Sequence, residues 1–295
     1  MKLSVIEIGQ KPELVVQTAA GWLKLTSYFD QVEEVPDFTM ENLFDGKVYK
    51  GLQFLLESDL SQIDSCYWLD TIEDYAFYPV VSHPRKILAV GLNYKNHITE
   101  VQMDKPQVPE IFNKLATSLN SHGSPIFLPN NDWEYDYEGE LVIVVGKNAK
   151  NLTLDEADQA IFGYTVGNDV TARKLQFQTS QWLIGKSLDG FAPVGPSLLT
   201  KDQMNLGQAR LTTKVNGQIV QEAPLTDMLY SPQEIVSYLS QYMTLEPGDL
   251  IFTGTPSGVI MGHNPNQLDW LTQGDTVTVS ISGIGTLENI IRYEK

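Results

Sequence analysis

Sulfur, histidine and positive charge are scarce in this chain of 295 residues. A single cysteine, Cys66, excludes an internal disulfide and a thiolate metal cluster, and it suits a reducing compartment. Cys66 itself is expected to be a small buried apolar residue rather than a nucleophile. Lysine and arginine number 20 against 37 aspartates and glutamates, a net charge of -17. Most of such a surface repels nucleic acid and anionic lipid, so neither is expected as a partner. An anionic substrate would meet the same repulsion unless its site carries a metal ion, lysine or arginine. No apolar run approaches the ~20 residues of a membrane helix, and Glu7 interrupts the apolar start, so neither a membrane span nor a signal peptide is expected. The chain therefore reads as cytoplasmic.

The length allows one large domain or a small one attached to a larger one. Before residue 83, Leu3, Val5 and the stretch from Leu14 to Leu25 have strand character with Gly21 as a turn. Met40 to Leu56 has helical character that Gly46 and Gly51 weaken. A small α+β module over 1–82 follows, with VVSHPRK around Pro84 as a connector and a larger unit over 83–295. Strand signals dominate that unit: ILAVG at 87–91, ELVIVVG at 140–146, GYTVGND at 163–169, DLIFTGT at 249–255 and DTVTVSISGIG at 275–285. The turn sequences EPGD and QGD predict hairpin-like entries into the last two. Ser231 to Glu234 predicts a capped helix start, and Thr153 with Glu156 predicts a second capping box before a short helix ending near Gly163. Long helices do not alternate with the strands, so a β-rich α+β fold is expected rather than a doubly wound parallel sheet.

The densest acidic pattern is DYEGELVIVVG, where Asp136, Glu138 and Glu140 recur at every second position before an apolar run. The period of two puts Glu138 and Glu140 on one strand face, where their repulsion calls for a cation if the face is buried. A solvated edge strand would carry the same pattern. Asp169 ends GYTVGND, where an aspartate opening a helix is the ordinary alternative. Oxygen donors without clustered histidine or cysteine would select Mg²⁺, Mn²⁺ or Ca²⁺ over zinc. His97 and Glu100, three residues apart, could form an oriented general base or a simple surface ion pair. Arg173 could brace carboxylates, Lys186 could offer charge to an oxyanion, and TGTPSGV at 253–259 could offer backbone N–H groups to an acid. Each of these also has a structural explanation.

In order along the chain, GLNYKNHITE, PEIFNKLATSL, DYEGELVIVVGK, GYTVGNDVTAR with Gln176, GKSLDGFAPVGP, VNGQIVQ, LEPGDLIFTGTPSGV and GIGTLEN resemble the fumarylacetoacetate hydrolase superfamily from about Lys86 onward. The resemblance implies a mixed β-sheet roll, usually a homodimer, with Glu138, Glu140 and Asp169 as metal ligands. It implies His97 and Glu100 as a water-activating dyad on a mobile lid. Lys186 and Gln176 become contacts to substrate or oxyanion, Thr255 helps to hold the substrate's acid end, and Arg173 has a supporting role. Where the family commonly has a further glycine after TGTPSGV, this chain has Ile260, which is expected to reshape the pocket wall.

The expected reaction is hydrolytic carbon–carbon cleavage of a small 1,3-dicarbonyl acid of the acylpyruvate or fumarylpyruvate type, with the metal holding the 2-oxo acid. Oxaloacetate decarboxylation or 2-oxo acid isomerisation on the same site is the alternative. A metal-stabilised binding protein without turnover is an alternative of another class.

Overall fold

The computed structural model describes residues 1–295 apart from 33, 34, 36, 37, 101, 103, 131, 264–267 and 295. Its centre is an 11-stranded mixed sheet. Ten strands follow in the order Trp68–Leu69, Gly21–Lys24, Lys11–Thr18, Lys2–Ile8, Ala192–Thr200, Ile161–Asn168, Gly139–Val145, Leu250–Phe252, Ile87–Gly91 and Glu110–Lys114, and Leu119–Ser121 joins Ala192–Thr200 from the side. A five-stranded sheet runs Gln218–Pro224, Arg210–Val215, Thr276–Ile281, Gly285–Tyr293 and Ile126–Leu128. The short strands Tyr135–Asp136 and Thr171–Ala172 form a separate pair. Neighbours are mostly antiparallel, so the expected β-rich α+β class holds.

The strand Gly139–Val145 explains why ELVIVVG is apolar throughout. Leu141, Ile143 and Val145 enter one core with Leu211, Val279 and Leu287 of the five-stranded sheet, while Val142 and Val144 enter another with residues of the first 82. A strand covered on both faces needs no polar alternation. The helix Pro232–Tyr242 lies against the first core through Ile235, Val236 and Leu239. Its start is closed as expected, with the Glu234 carboxylate accepting the Ser231 amide at 2.7 Å and hydroxyl at 2.6 Å.

Several boundaries differ from expectation for local reasons. The Met40–Leu56 stretch is a 3-10 helix, Met40–Phe44, followed by an α-helix, Gly46–Glu57. The break falls at Asp45, whose carboxylate accepts the Lys47 amide at 2.7 Å and starts the second helix. The Thr153 capping box is present, yet its helix stops at Ala160 because Ile161–Asn168 is committed to the sheet. After EPGD, Leu250–Phe252 runs parallel to Ile87–Gly91 instead of forming a hairpin. After QGD, Thr276–Ile281 does pair with the strand that follows it.

Sheet pairing also crosses the connector around Pro84. Lys2 pairs with Leu199 and Ser4 with Ser197, whose hydroxyls lie 2.8 Å apart in the interior. No helix among the described residues is long and apolar enough to cross a membrane. Cys66 corrects the sequence reading: it is exposed, in a turn where its amide donates to the Asp64 carboxylate at 2.8 Å. The demands of that turn, rather than apolar packing, place it at the surface.

Candidate active site

The central strand and its neighbour bring three acids together. Glu140 lies within Gly139–Val145, Glu138 immediately precedes it, and Asp169 follows the paired strand Ile161–Asn168. The registry of those strands places Gly139 opposite Asn168, and the Asp169 amide donates to the Glu138 carbonyl at 2.8 Å. One oxygen from each of Glu138, Glu140 and Asp169 lies within 4.8 Å of the others, and all three residues are buried. The predicted shared face is therefore real, and neither an exposed edge strand nor an ordinary helix-opening aspartate describes it.

Buried cations surround the acids unevenly. Lys186 Nζ lies 2.7 Å from Glu138 Oε2 and 2.9 Å from Asp169 Oδ2. Arg173 reaches Asp136 and Glu138, each at 2.8 Å. Its remaining arm donates to Gln176 Oε1 at 3.0 Å, which leaves the Gln176 amide N–H groups as donors. Lys114 Nζ lies 2.5 Å from Asp169 Oδ1 and also donates to the Lys186 carbonyl. Four buried carboxylates, counting Asp136, thus face three buried cations.

Glu140 is the acid left over. It forms no ion pair among the described residues and accepts only the Gly254 amide, at 2.7 Å. Burial, then the charges of Asp169 and Glu138, push its carboxyl well above the usual carboxylate range. Burial alone would push Glu138 the same way, but Lys186 and Arg173 hold it well below its ordinary value. A hard divalent cation fits this donor set: it offers oxygens only, one ligand lacks a counter-charge, and each ion-paired oxygen keeps a second lone pair. Mg²⁺, Mn²⁺ or Ca²⁺ meets that description.

His97 and Glu100 sit on the helix Lys95–Glu100. His97 is buried, and its Nδ1 lies 3.5 Å from Glu100 Oε2, at the outer limit of a hydrogen bond. Glu100 also reaches TGTPSGV, where its two oxygens accept the Gly258 amide at 2.9 and 3.0 Å. That loop was expected to offer N–H groups to a ligand. Two of them instead hold the protein's own carboxylates, Gly254 for Glu140 and Gly258 for Glu100. Gly258 has φ +104°, and a Cβ there would lie 1.9 Å from the Val220 carbonyl, so only glycine suits the turn.

A cavity of about 30 Å³ joins these groups, lined by His97, Glu138, Glu140, Arg173, Gln176 and Lys186, with Thr255 also on its wall. Phe112, Phe177, Trp182 and Met261 also line it, together with residues 90–92. All nine residues singled out from the sequence lie at or beside this cavity. Asp169 lies beside it, paired with the lining residue Lys186, and Glu100 is behind His97. Ile260 is not in the wall: it packs with Tyr135, Tyr137 and Val170 while its amide donates to Asp136 Oδ1 at 2.9 Å, and Met261 faces the cavity. The Asp136 carboxylate is thereby fixed by the backbone amides of Tyr137, Ile260 and Met261 and by Arg173, which keeps it out of the acidic triad.

Sequence reasoning passed over Lys114 and Gln221. Both lie in stretches that resemble the family, PEIFNKLATSL and VNGQIVQ, but no apolar alternation there sets either residue apart from its neighbours.

Comparison with known proteins agrees with this geometry. The family described as fumarylacetoacetate (FAA) hydrolase C-terminal matches residues 86–292. A fumarylacetoacetate hydrolase domain-containing protein 2 homolog of Dictyostelium discoideum is 42% identical over 220 residues, 71% of this chain and 72% of its own. Oxaloacetate tautomerase YisK of Bacillus subtilis is 39% identical over 217 residues, 72% of this chain and 71% of its own. Among solved structures, the fumarylacetoacetate hydrolase of Exiguobacterium antarcticum superposes with a TM-score of 0.83 at 32% identity, covering 100% of both chains. By sequence and by fold, the chain belongs to the fumarylacetoacetate hydrolase family.

Proposed function

We propose that this chain is a divalent-metal-dependent enzyme acting on a small 2-oxo acid, and that its reaction is keto–enol tautomerisation of the oxaloacetate type. The observation that carries the metal reading is Glu140, a buried carboxylate with no cation of its own. When bound, a divalent ion would neutralise the acid and the developing enolate oxygen, which a chain of charge -17 could not otherwise favour. Glu138, Glu140 and Asp169 are its proposed ligands.

The proposed roles of the remaining residues follow from their bonds. Lys186 stays protonated because Asp169 and Glu138 outweigh its burial, so it acts as a donor to substrate oxygen rather than as a base. Gln176, its carbonyl held by Arg173, turns its amide toward the same oxygen. His97, with Glu100 behind it, exchanges a proton with the carbon next to the 2-oxo group. The Thr255 hydroxyl donates to the Gly139 carbonyl at 2.9 Å, so toward the substrate's acid end it helps through loop position. A tautomerase among the relatives supports enolate chemistry over hydrolysis.

One observation favours a second reading. His97, with Glu100 behind it, faces the cavity, and it would equally activate water for carbon–carbon hydrolysis of an acylpyruvate or fumarylpyruvate. The test is an absorbance assay of enol-oxaloacetate, acylpyruvates and fumarylpyruvate with Mg²⁺ or Mn²⁺, before and after chelation. Chelator-sensitive conversion of enol-oxaloacetate alone supports tautomerisation, and cleavage products support hydrolysis. No turnover on any of them would leave a binding protein. His97→Ala is expected to lose turnover while retaining metal binding, and an unchanged rate would remove His97 from the mechanism.

Residues 83–295 carry every proposed site residue, so residues 1–82 are proposed to be accessory to the chemistry. A homodimer in the cytoplasm is the proposed working state. Sedimentation of the purified chain and fractionation of cells test those two points.

A further inference from the structure

We infer that Gln221 is a positioning residue for the metal and acid-binding parts of this site, an inference that rests on the metal reading proposed above. Gln221 lies on the strand Gln218–Pro224 of the five-stranded sheet, is buried, and is outside the cavity lining. Its side-chain carbonyl accepts the Gly139 amide at 3.0 Å. Its amide group donates to Thr255 Oγ1 and to the Pro256 carbonyl, each at 2.8 Å. Thr255 Oγ1 in turn donates to the Gly139 carbonyl at 2.9 Å, which closes a ring of hydrogen bonds.

Gly139 is the residue between Glu138 and Glu140. Both of its backbone polar groups belong to this ring, so the ring sets the height and tilt of the peptide from which the two carboxylates diverge. The same ring fixes the loop whose Gly254 amide holds Glu140 and whose Gly258 amide holds Glu100. One buried amide side chain thereby connects the acid-bearing strand with the loop behind His97. Its donor and acceptor ends are both needed, because each meets a group that can only accept or only donate there. The close fit allows no side chain at residue 139, where a Cβ would lie 2.2 Å from Thr213 Oγ1 and 3.3 Å from Gln221 Oε1. Losing one partner would leave buried polar atoms unpaired, so the loop and strand would shift apart to reach water.

The experiment compares the full chain with Gln221→Met, which removes both ends at similar volume, and Gln221→Glu, which keeps the acceptor and removes the donors. Mg²⁺ and Mn²⁺ affinity is titrated calorimetrically, and hydrogen exchange of the segment 253–259 is followed without metal. Gln221→Met is expected to weaken metal binding by about 10- to 100-fold, as for other groups that orient ligands, and to speed exchange at Gly254 and Gly258. Gln221→Glu is expected to speed exchange in the same segment, and it decides the matter should Gln221→Met not fold. Metal affinity within twofold of the parent together with unchanged exchange would overturn the positioning role, as would a lowered Tm with both readouts unmoved. If the parent chain binds no metal but exchange still quickens, the metal reading fails and the clamp between strand and loop stands.

Discussion

Lys114 Nζ and Asp169 Oδ1 meet at 2.5 Å, with both side chains completely shielded from solvent. Burial pushes the Lys114 ammonium below its ordinary pKa, and the Asp169 charge opposes that push. The ammonium also donates to the Lys186 carbonyl, so it ties the short helix Leu183–Lys186, which carries one proposed donor, to the acid that follows the strand Ile161–Asn168.

Replacing Lys114 by methionine is therefore expected to be costly. Removing one member of a buried ion pair leaves the other uncompensated, a loss of about 3–5 kcal/mol. Urea unfolding of Lys114→Met measures it, and a change below 1 kcal/mol would mean that water reaches Asp169.

Glu140→Gln and Glu138→Gln are expected to differ in sign. In the metal-free chain, Glu140→Gln removes the unpaired acid and leaves stability unchanged or raised, whereas Glu138→Gln deprives Lys186 and Arg173 of a shared partner and lowers it. Both substitutions weaken Mg²⁺ binding. Thermal unfolding with EDTA and then with excess Mg²⁺ separates the two effects, and equal destabilisation of both variants in EDTA would contradict the charge imbalance.

Stability should fall below neutral pH through a residue remote from the site. His122 Nδ1 accepts the Glu288 amide at 3.0 Å, and burial lowers the pKa of the ring against the opposing charge of Glu288. A histidine depressed on folding contributes stability that is fully present above its unfolded pKa of about 6.5 and is lost as pH falls through the folded value. The expected observation is a stability slope just below pH 6.5 that His122→Asn reduces.

Gly258→Ala is expected to displace the far end of the turn, around Gly258, and to leave the Gly254 amide on Glu140, because the added methyl meets the Val220 carbonyl and the backbone at Gly258 adopts a left-handed φ. The Glu100 contact would weaken with it. Loss of turnover with metal affinity kept within a fewfold is the expected kinetic result, and a parent-like rate would show that the Glu100–Gly258 contact is dispensable.

The acidic triad was legible because its physics is local: alternation places Glu138 and Glu140 together, and a strand end supplies Asp169. The same alternation did not separate Asp136, whose fate depends on Arg173 and on two amides more than 120 residues later in the chain. Lys114 was invisible for a related reason. A lysine closing a short strand is ordinarily solvated, and its partners arrive 55 and 72 residues later. Ile260 misled because a side chain beside a cavity can turn either way, and here the Asp136 contact turns it into the core. The loop amides of TGTPSGV were correctly read as anion receivers, but the anions are internal. What sequence patterns conveyed was which face or loop a group occupies; which distant group meets it was set by tertiary pairing.

The pairing of Lys2–Ile8 with Ala192–Thr200 makes the first strand a cover for a line of backbone donors and acceptors. A chain shortened to residues 83–295 would keep every proposed site residue yet leave that line bare, and bare strand margins recruit other chains. Such a fragment is expected to sediment as aggregates even though its chemistry is intact. A shortened chain that stays dispersed and fully active would show that Ala192–Thr200 can do without its neighbour.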